Sequence, residues 1–421
     1  MKQKIGYVLF FIILFATEAM CYGGDVESVI AYQMNNIVAV FGIPFLFILA
    51  LYRFPTIYNF VLYGLIIGTV GLILESLYTY NQILYSPFVV KRFFFCGVAL
   101  IAYFIAVKFS PFPIKTVVWL IFLFYFINQI ALGKIFTYRL TPDTRTQEAS
   151  EALYMIIPFT YYFVQYITKY KWTDLLKAIA VFTYTVLLMH RSVIASISFS
   201  ALLIIGFSAM GKIPNSRLQI RRSLGTILLL IFLGAPIITA ISPTRVQAFF
   251  ENIGGILTPT EDETGSWRYE QTLYYWKKIA ERPVFGWRYE GYEEGEIMEN
   301  DGFSEKGTVI HSQYVDLLYN YGLFGLILSL TIIAATLWAL YKRHRYLTID
   351  QLVLFSYIAG ALVFGISYQF PLCYWSFVGL GMYHAFVAAP APDPFVATLP
   401  QMDFTYSQFG QPYDQHSHTR I

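Results

Sequence analysis

The chain has 421 residues, of which 57% are hydrophobic and only 13% charged, with a formal net charge of +3. Soluble domains carry about 25% charged residues, so this composition excludes a water-soluble globular protein and indicates an integral membrane protein. So small a charge, with no basic tract, Gly-rich phosphate loop or RNA-binding signature, argues against a nucleic-acid partner.

Apolar runs long enough to cross a bilayer, about 20 residues for 30 Å, recur from end to end. In chain order they are Ile5–Met20, Ile37–Tyr52, Ile57–Leu74, Phe93–Val107, Thr116–Leu132, Ala152–Ile167, Leu175–Met189, Val193–Met210, Leu224–Ile241, Tyr314–Tyr341, Leu352–Ser367 and Leu372–Val387. The expected fold is an all-α polytopic membrane protein of about twelve transmembrane helices. Nine spans fill 1–241, a large polar loop with short helices fills 242–313, and three spans fill 314–388. Residues 389–421, Pro-rich and then polar, read as a disordered cytoplasmic tail. No small-x-small cleavage site follows the first run, which is therefore read as an uncleaved span.

Lys and Arg set the expected orientation. Lys2 and Lys4 put the N-terminus inside. Alternation then places Arg53, Lys108 with Lys115, Lys169 through Lys177, Lys212 through Arg222 and Lys342 through Arg345 on the cytoplasmic side. Lys91-Arg92 and the trio Lys134, Arg139 and Arg145 fall outside, as anomalies. The loop over 242–313 is then extracytoplasmic, and acidic on balance. Its Tyr269–Ala280 stretch reads as an amphipathic helix with Leu273, Trp276, Ile279 and Ala280 at helical spacing. Glu281-Arg282-Pro283 ends it, because the residue before proline disfavours helix.

Ionisable residues that could carry chemistry gather in this loop and at nearby helix ends. Arg191, after His190, sits in a two- to three-residue turn between apolar runs that read as a tight helical hairpin. Alone it is a snorkelling arginine; facing a site under the loop it is an anion ligand, since a guanidinium binds phosphate oxygens bidentately. Arg268, between Trp267 and Tyr269, reads either as a surface residue paired with Glu263 or Glu270 or as a second anion ligand. Arg282 reads as a surface residue; Arg288 reads either as a surface residue or as a second-rank phosphate contact. His311, where the loop meets the next span, is a solvated interface histidine, a base for an attacking hydroxyl, or a donor to phosphate. No His-Glu-x-x-His, Cys/His cluster or Asp-x-Asp supports a metal site, and no cofactor is implied. Cys21, Cys96 and Cys373 are far apart at apolar positions and read as membrane packing.

Taken together, Gly265-Ser266-Trp267-Arg268-Tyr269-Glu270-Gln271, then Glu281-Arg282-Pro283-Val284-Phe285-Gly286, His311-Ser312-Gln313-Tyr314-Val315-Asp316-Leu317-Leu318 and Tyr321-Gly322-Leu323-Phe324-Gly325, resemble the O-antigen ligase/polymerase family of bacterial envelope glycosyltransferases. Arg191 resembles that family's further essential arginine. Two departures stand out. Ser312 occupies a place where asparagine is common, and Trp287-Arg288 replaces a Gly-rich end. The resemblance implies a metal-independent glycosyltransferase in the bacterial inner membrane, its loop facing the periplasm. Its donor would be a glycan on undecaprenyl diphosphate, and its acceptor a lipid A core or another glycan. Envelope polysaccharide assembly proteins and membrane lipid would be partners. It assigns Arg191, Arg268 and His311 to catalysis, and Arg288, Trp267 and Tyr314 to substrate contact. The shared motif fits a ligase, the favoured reading, and also a polymerase joining carrier-linked repeats. A lipid-linked oligosaccharide flippase would need charges buried in mid-span. A non-catalytic assembly partner would need neither Arg268 nor His311.

Overall fold

The computed structural model describes residues 41–109, 113–131, 149–188, 190–214, 216, 263–293 and 310–387. Among them the regular structure is helical throughout. After a helical stretch at 41–49 come α1 (Thr56–Tyr80), α2 (Pro87–Phe94), α3 (Gly97–Phe109) and α4 (Ile114–Ala131). Next are α5 (Ala149–Leu153), α6 (Ile156–Lys169), α7 (Trp172–Leu187) and α8 (Arg191–Ala209). The polar loop supplies α9 (Glu263–Glu281) and α10 (Arg288–Glu293); α11 (Gln313–Arg343), α12 (Ile349–Phe364) and α13 (Leu372–Phe386) complete the order. The expected spans at Ile5–Met20 and Leu224–Ile241, the first four residues of Ile37–Tyr52, most of the acidic stretches of the loop and the tail lie outside the described residues.

The long helices of the bundle are apolar all round, as in a membrane. On α1, Val61, Leu65 and Leu72 are buried while Phe60, Ile67 and Leu74 are exposed, leaving no polar face to meet water. Among the described residues, α1, α8 and α11 are long and apolar enough to cross a bilayer. Among the described residues, α3 and the start of α4, bent by 119°, reach that length and apolarity only when taken together as one broken span. The other expected spans are shorter helices or are divided. Phe93–Val107 is split between α2 and α3, and Ala152–Ile167 between α5 and α6. Pro158 in the first turn of α6 lacks the N–H that a continuous helix would need there.

The expected turn at His190-Arg191 falls at the break between α7, which ends at Leu187, and α8, which begins at Arg191. Along α8, Ser192, Ser196 and Ser200 keep the surface small. Gly360 of α12 lies against them: a Cβ there would sit 2.1 Å from Ser200 Oγ. Ser200 Oγ donates to Ser356 O at 2.8 Å, while further along Phe207 meets Phe355 edge-on, so the two helices are antiparallel. Arg191 lies five residues, roughly 7.5 Å, before Ser196. Gly365 lies equally far beyond Gly360. Arg191 is therefore level with the end of α12.

The expected span Tyr314–Tyr341 needs correction. Gly322, at φ 61° and ψ −160°, breaks α11. Thr336 lies beside Gly381 of α13, and the climb from Thr336 to Gly322 is roughly 21 Å. The climb from Gly381 to Leu372 is only roughly 13 Å. Yet Gln313 N–H donates to Gly365 O at 2.9 Å, and its Oε1 accepts from Phe370 N–H at 2.7 Å. Residues 313–321 therefore run across the end of the bundle, and only the part of α11 after Gly322 spans it.

Two ends result. At one, Lys212 Nζ donates to Tyr341 O and His344 O, both at 2.8 Å, joining the end of α8 to the α11–α12 turn. A capping box starts α12 there: Thr348 Oγ1 accepts from Gln351 N–H and Gln351 Oε1 from Thr348 N–H. At the other end lie Arg191, the crossing segment, the α12–α13 turn, α2, α9 and α10.

Candidate active site

Helix α9 carries Arg268 and packs along the crossing segment. Gln271, Tyr275 and Ile279 form its buried side. Tyr275 meets Tyr319 edge-on at 4.7 Å, within a small core that also holds Trp287, Ile310 and Val315. This differs from the expected apolar face: Ile279 is buried, but Leu273 and Trp276 point outwards. The helix ends at Glu281, ahead of Pro283 as expected.

The turn that follows interlocks with the break in α11. Leu323 N–H and Phe324 N–H, released by the break, donate to Pro283 O and Val284 O at 2.8 and 3.0 Å. In return Trp287 N–H donates to Tyr319 O at 2.8 Å. Only glycine fits the two crossing points. A Cβ on Gly286 would lie 2.5 Å from Tyr319 O, and one on Gly322 would lie 2.4 Å from Val284 O, each at positive φ. The Pro283–Gly286 and Tyr321–Gly325 motifs are thus two halves of one joint, which fixes α9 against the crossing segment.

The joint brings Arg268 and His311 round one turn, the Tyr368–Phe370 segment between α12 and α13. Arg268 Nη2 donates to Tyr368 Oη at 3.1 Å, and its guanidinium carbon lies 4.5 Å from that ring's centre. Arg268 Nε is buried with no hydrogen-bond partner among the described residues. One turn along α9, Gln271 Oε1 accepts from His311 N–H at 3.4 Å. Gln369 Nε2 donates to Ile310 O at 2.7 Å, just before the histidine. Behind them is a narrow cleft bounded by Gln313, Asp316, Gln369, Phe370, Trp375 and Arg92.

Arg191 is level with this turn, at the first residue of α8. Arg288 is employed differently from expectation. Its Nε donates to Glu75 Oε2 at 2.6 Å and its Nη1 to Phe285 O and Gly286 O at 3.1 and 3.3 Å. That guanidinium closes the joint and ties it to the end of α1. Beside it, burial pushes the Tyr289 hydroxyl up to about 12, so it stays protonated. Tyr314, expected as a substrate contact, donates its hydroxyl proton to Leu362 O at 2.6 Å, which ties the crossing segment to α12. The Trp267 side chain lies outside the described residues. Among the described residues no cluster of three or more metal-ligating side chains occurs.

Sequence reasoning missed Tyr368, Gln369, Gln271 and the pair Arg92–Asp316. The pair had left a trace: Lys91-Arg92 lay on the wrong side for the orientation rule. Arg92 Nη1 donates to Asp316 Oδ1 at 2.7 Å with side chains 8% and 2% exposed, so its charge is neutralised inside the protein. Asn320 Nδ2 donates to the same oxygen at 2.9 Å. Tyr368 and Gln369 had only a weaker signal, the polar break between two apolar runs.

Residues 177–330 match the sequence model of the family described as O-antigen ligase, a segment that contains Arg191, Arg268, the joint and His311. No curated protein matches the chain. Apolar spanning helices and this match together make it a membrane protein with a glycosyltransferase-type domain. Over residues 177–330, the segment that builds this end of the bundle, the chain is similar to the O-antigen ligase family.

Proposed function

We propose that the protein transfers a glycan from an undecaprenyl diphosphate carrier to an acceptor hydroxyl, in the manner of an O-antigen ligase, at the periplasmic face of the bacterial inner membrane. One observation carries the reading: Arg268 and His311 are held round the same Tyr368–Phe370 turn, with Arg191 level with it. In the reaction the acceptor oxygen bonds to the anomeric carbon and the bond from that carbon to the diphosphate oxygen breaks. Negative charge grows on the leaving diphosphate, and a fixed guanidinium stabilises it without a metal. Arg268 suits that role because its partner is a neutral phenol and its buried Nε–H awaits an acceptor. Arg191 would hold the far side of the diphosphate. His311 would take the proton from the acceptor hydroxyl or donate to a diphosphate oxygen. The basic end, with Lys212 and Lys342 through Arg345, then faces the cytoplasm.

Reconstitution tests this with an undecaprenyl diphosphate-linked saccharide, a lipid A core acceptor and EDTA. Release of carrier diphosphate with product on the core is expected, at a rate unchanged by EDTA. Chain lengthening on the carrier instead would make the protein a polymerase. Absence of turnover with either acceptor in folded protein would overturn the reading.

A further inference from the structure

The outward side of α9 is apolar. Tyr269, Leu273 and Trp276 are 52%, 48% and 59% exposed, at positions i, i+4 and i+7, and Ala280 extends the stripe by one turn. The stripe does not end with the helix. Val284 and Phe285, in the joint, are 53% and 56% exposed. Val284 O accepts from Phe324 N–H, and the Phe285 ring lies 5.7 Å from that of Phe324. Immediately beyond, on the spanning part of α11, Leu323 and Ile327 are 46% and 51% exposed. An exposed leucine and isoleucine on a spanning helix face lipid. The apolar surface therefore runs unbroken from the lipid-facing side of α11 through the joint and along α9.

Helix α9 also has the orientation such a surface needs. It packs beside residues 313–321, which cross the end of the bundle rather than rising from it. Its exposed aromatic residues are the types that settle at a membrane interface. Exposed Lys277, next to Trp276, can lay its stem along the stripe and its ammonium among headgroups.

We infer that α9 is an interfacial helix whose Tyr269–Leu273–Trp276 stripe is seated in the headgroup–acyl boundary of the bilayer, next to the joint. Such helices lie in the membrane plane with their apolar face sunk roughly 5–10 Å. Arg268 borders this stripe, so seating the helix fixes that guanidinium at the depth of lipid phosphates. A carrier-linked diphosphate would arrive at that depth, a consequence that rests on the function proposed above.

The test uses the full chain in nanodiscs of phosphatidylethanolamine and phosphatidylglycerol, without donor or acceptor. Nitroxides are attached to Leu273→Cys, Trp276→Cys, Glu270→Cys and, as the lipid reference, Ile327→Cys, with the parent protein as background. Collisions with oxygen, which partitions into lipid, and with a water-soluble nickel chelate are compared. The oxygen-to-nickel ratio at 273 and 276 is expected to approach that at 327 and to exceed that at 270 several-fold. A ratio at 273 and 276 equal to that at 270 would put the stripe in water and overturn the inference. Exclusion of both reagents would mean that protein covers it, either another part of this chain or a second molecule, and would overturn it equally. Glycosyl transfer plays no part in this readout. A stripe in water with transfer intact removes only this inference, and a stripe in lipid without transfer removes only the proposed function.

Discussion

The two ends of the bundle treat their cations in opposite ways. At the basic end, Lys342 and Arg343 are exposed and lie against the rings of Trp338 and Phe386, while Lys212 is held by two carbonyls. None of the three forms an ion pair among the described residues. At the other end, three arginines are matched to carboxylates: Arg92 to Asp316, Arg282 to Glu290 and Arg288 to Glu75. Arg268 differs from these three, being held by the phenol of Tyr368. Uncompensated charge at the basic end is what membrane orientation requires. At the opposite end the same rule disfavours it, and carboxylates remove it. A guanidinium left with a neutral partner there needs another reason, and a bound anion supplies one. The partner therefore separates the three arginines that build the protein from Arg268, proposed above for chemistry.

Arg92→Ala would test the structural side most severely. It strands the buried Asp316 carboxylate, and loss of one member of such a pair costs about 3–5 kcal/mol. A large drop in melting temperature is expected, restored by the apolar double variant Arg92→Met with Asp316→Leu. If Arg92→Ala melts normally, the pair is not structural and the contrast fails. Arg268→Ala should do the reverse: melting unchanged, transfer slowed about 100- to 1,000-fold, equivalent to about 2.7–4 kcal/mol. Arg268→Lys should not restore the rate, because an ammonium lacks the planar fork. Equal losses of stability and activity would return Arg268 to the structural class. Tyr368→Phe keeps the ring under Arg268 and deletes one hydrogen bond worth about 0.5–1.5 kcal/mol. Steady-state kinetics should show a roughly 2- to 10-fold loss. The smallest effect is expected for Arg282→Ala, whose pair with Glu290 is 39% and 49% exposed. Exposed pairs contribute at most about 1 kcal/mol, so a shift of a few degrees in a thermal melt is the ceiling.

Much of the site was legible from residue order. His190-Arg191 marked a hairpin turn, Pro283 an end to α9, and the His311 segment the start of a helix. Arg268 and His311 stood out because ionisable groups are scarce in a membrane chain. Their employment was less legible. Arg288 read as a surface residue or a second-rank phosphate contact and is engaged by Glu75, 213 residues away. Arg268 looked ready to pair with Glu263 or Glu270 and instead reaches Tyr368, 100 residues on. The long apolar run of α11 looked like one span because apolar residues suit a buried crossing segment as well as lipid. Gly322 alone hinted at the break, and a lone glycine in an apolar helix does not specify one.

What residue order determined by itself was everything set by composition and by spacing of a few residues: helices, membrane residence, turns and the set of candidate cations. These depend on local backbone preference and on transfer of side chains out of water, which neighbours in sequence are enough to fix. Tertiary structure alone decided that Pro283–Gly286 interlocks with Gly322, that 313–321 lies across the bundle, and which arginine is left with a neutral partner. Those outcomes depend on contacts between segments far apart in the chain, where close backbone approach and charge neutralisation are satisfied only once the helices have packed.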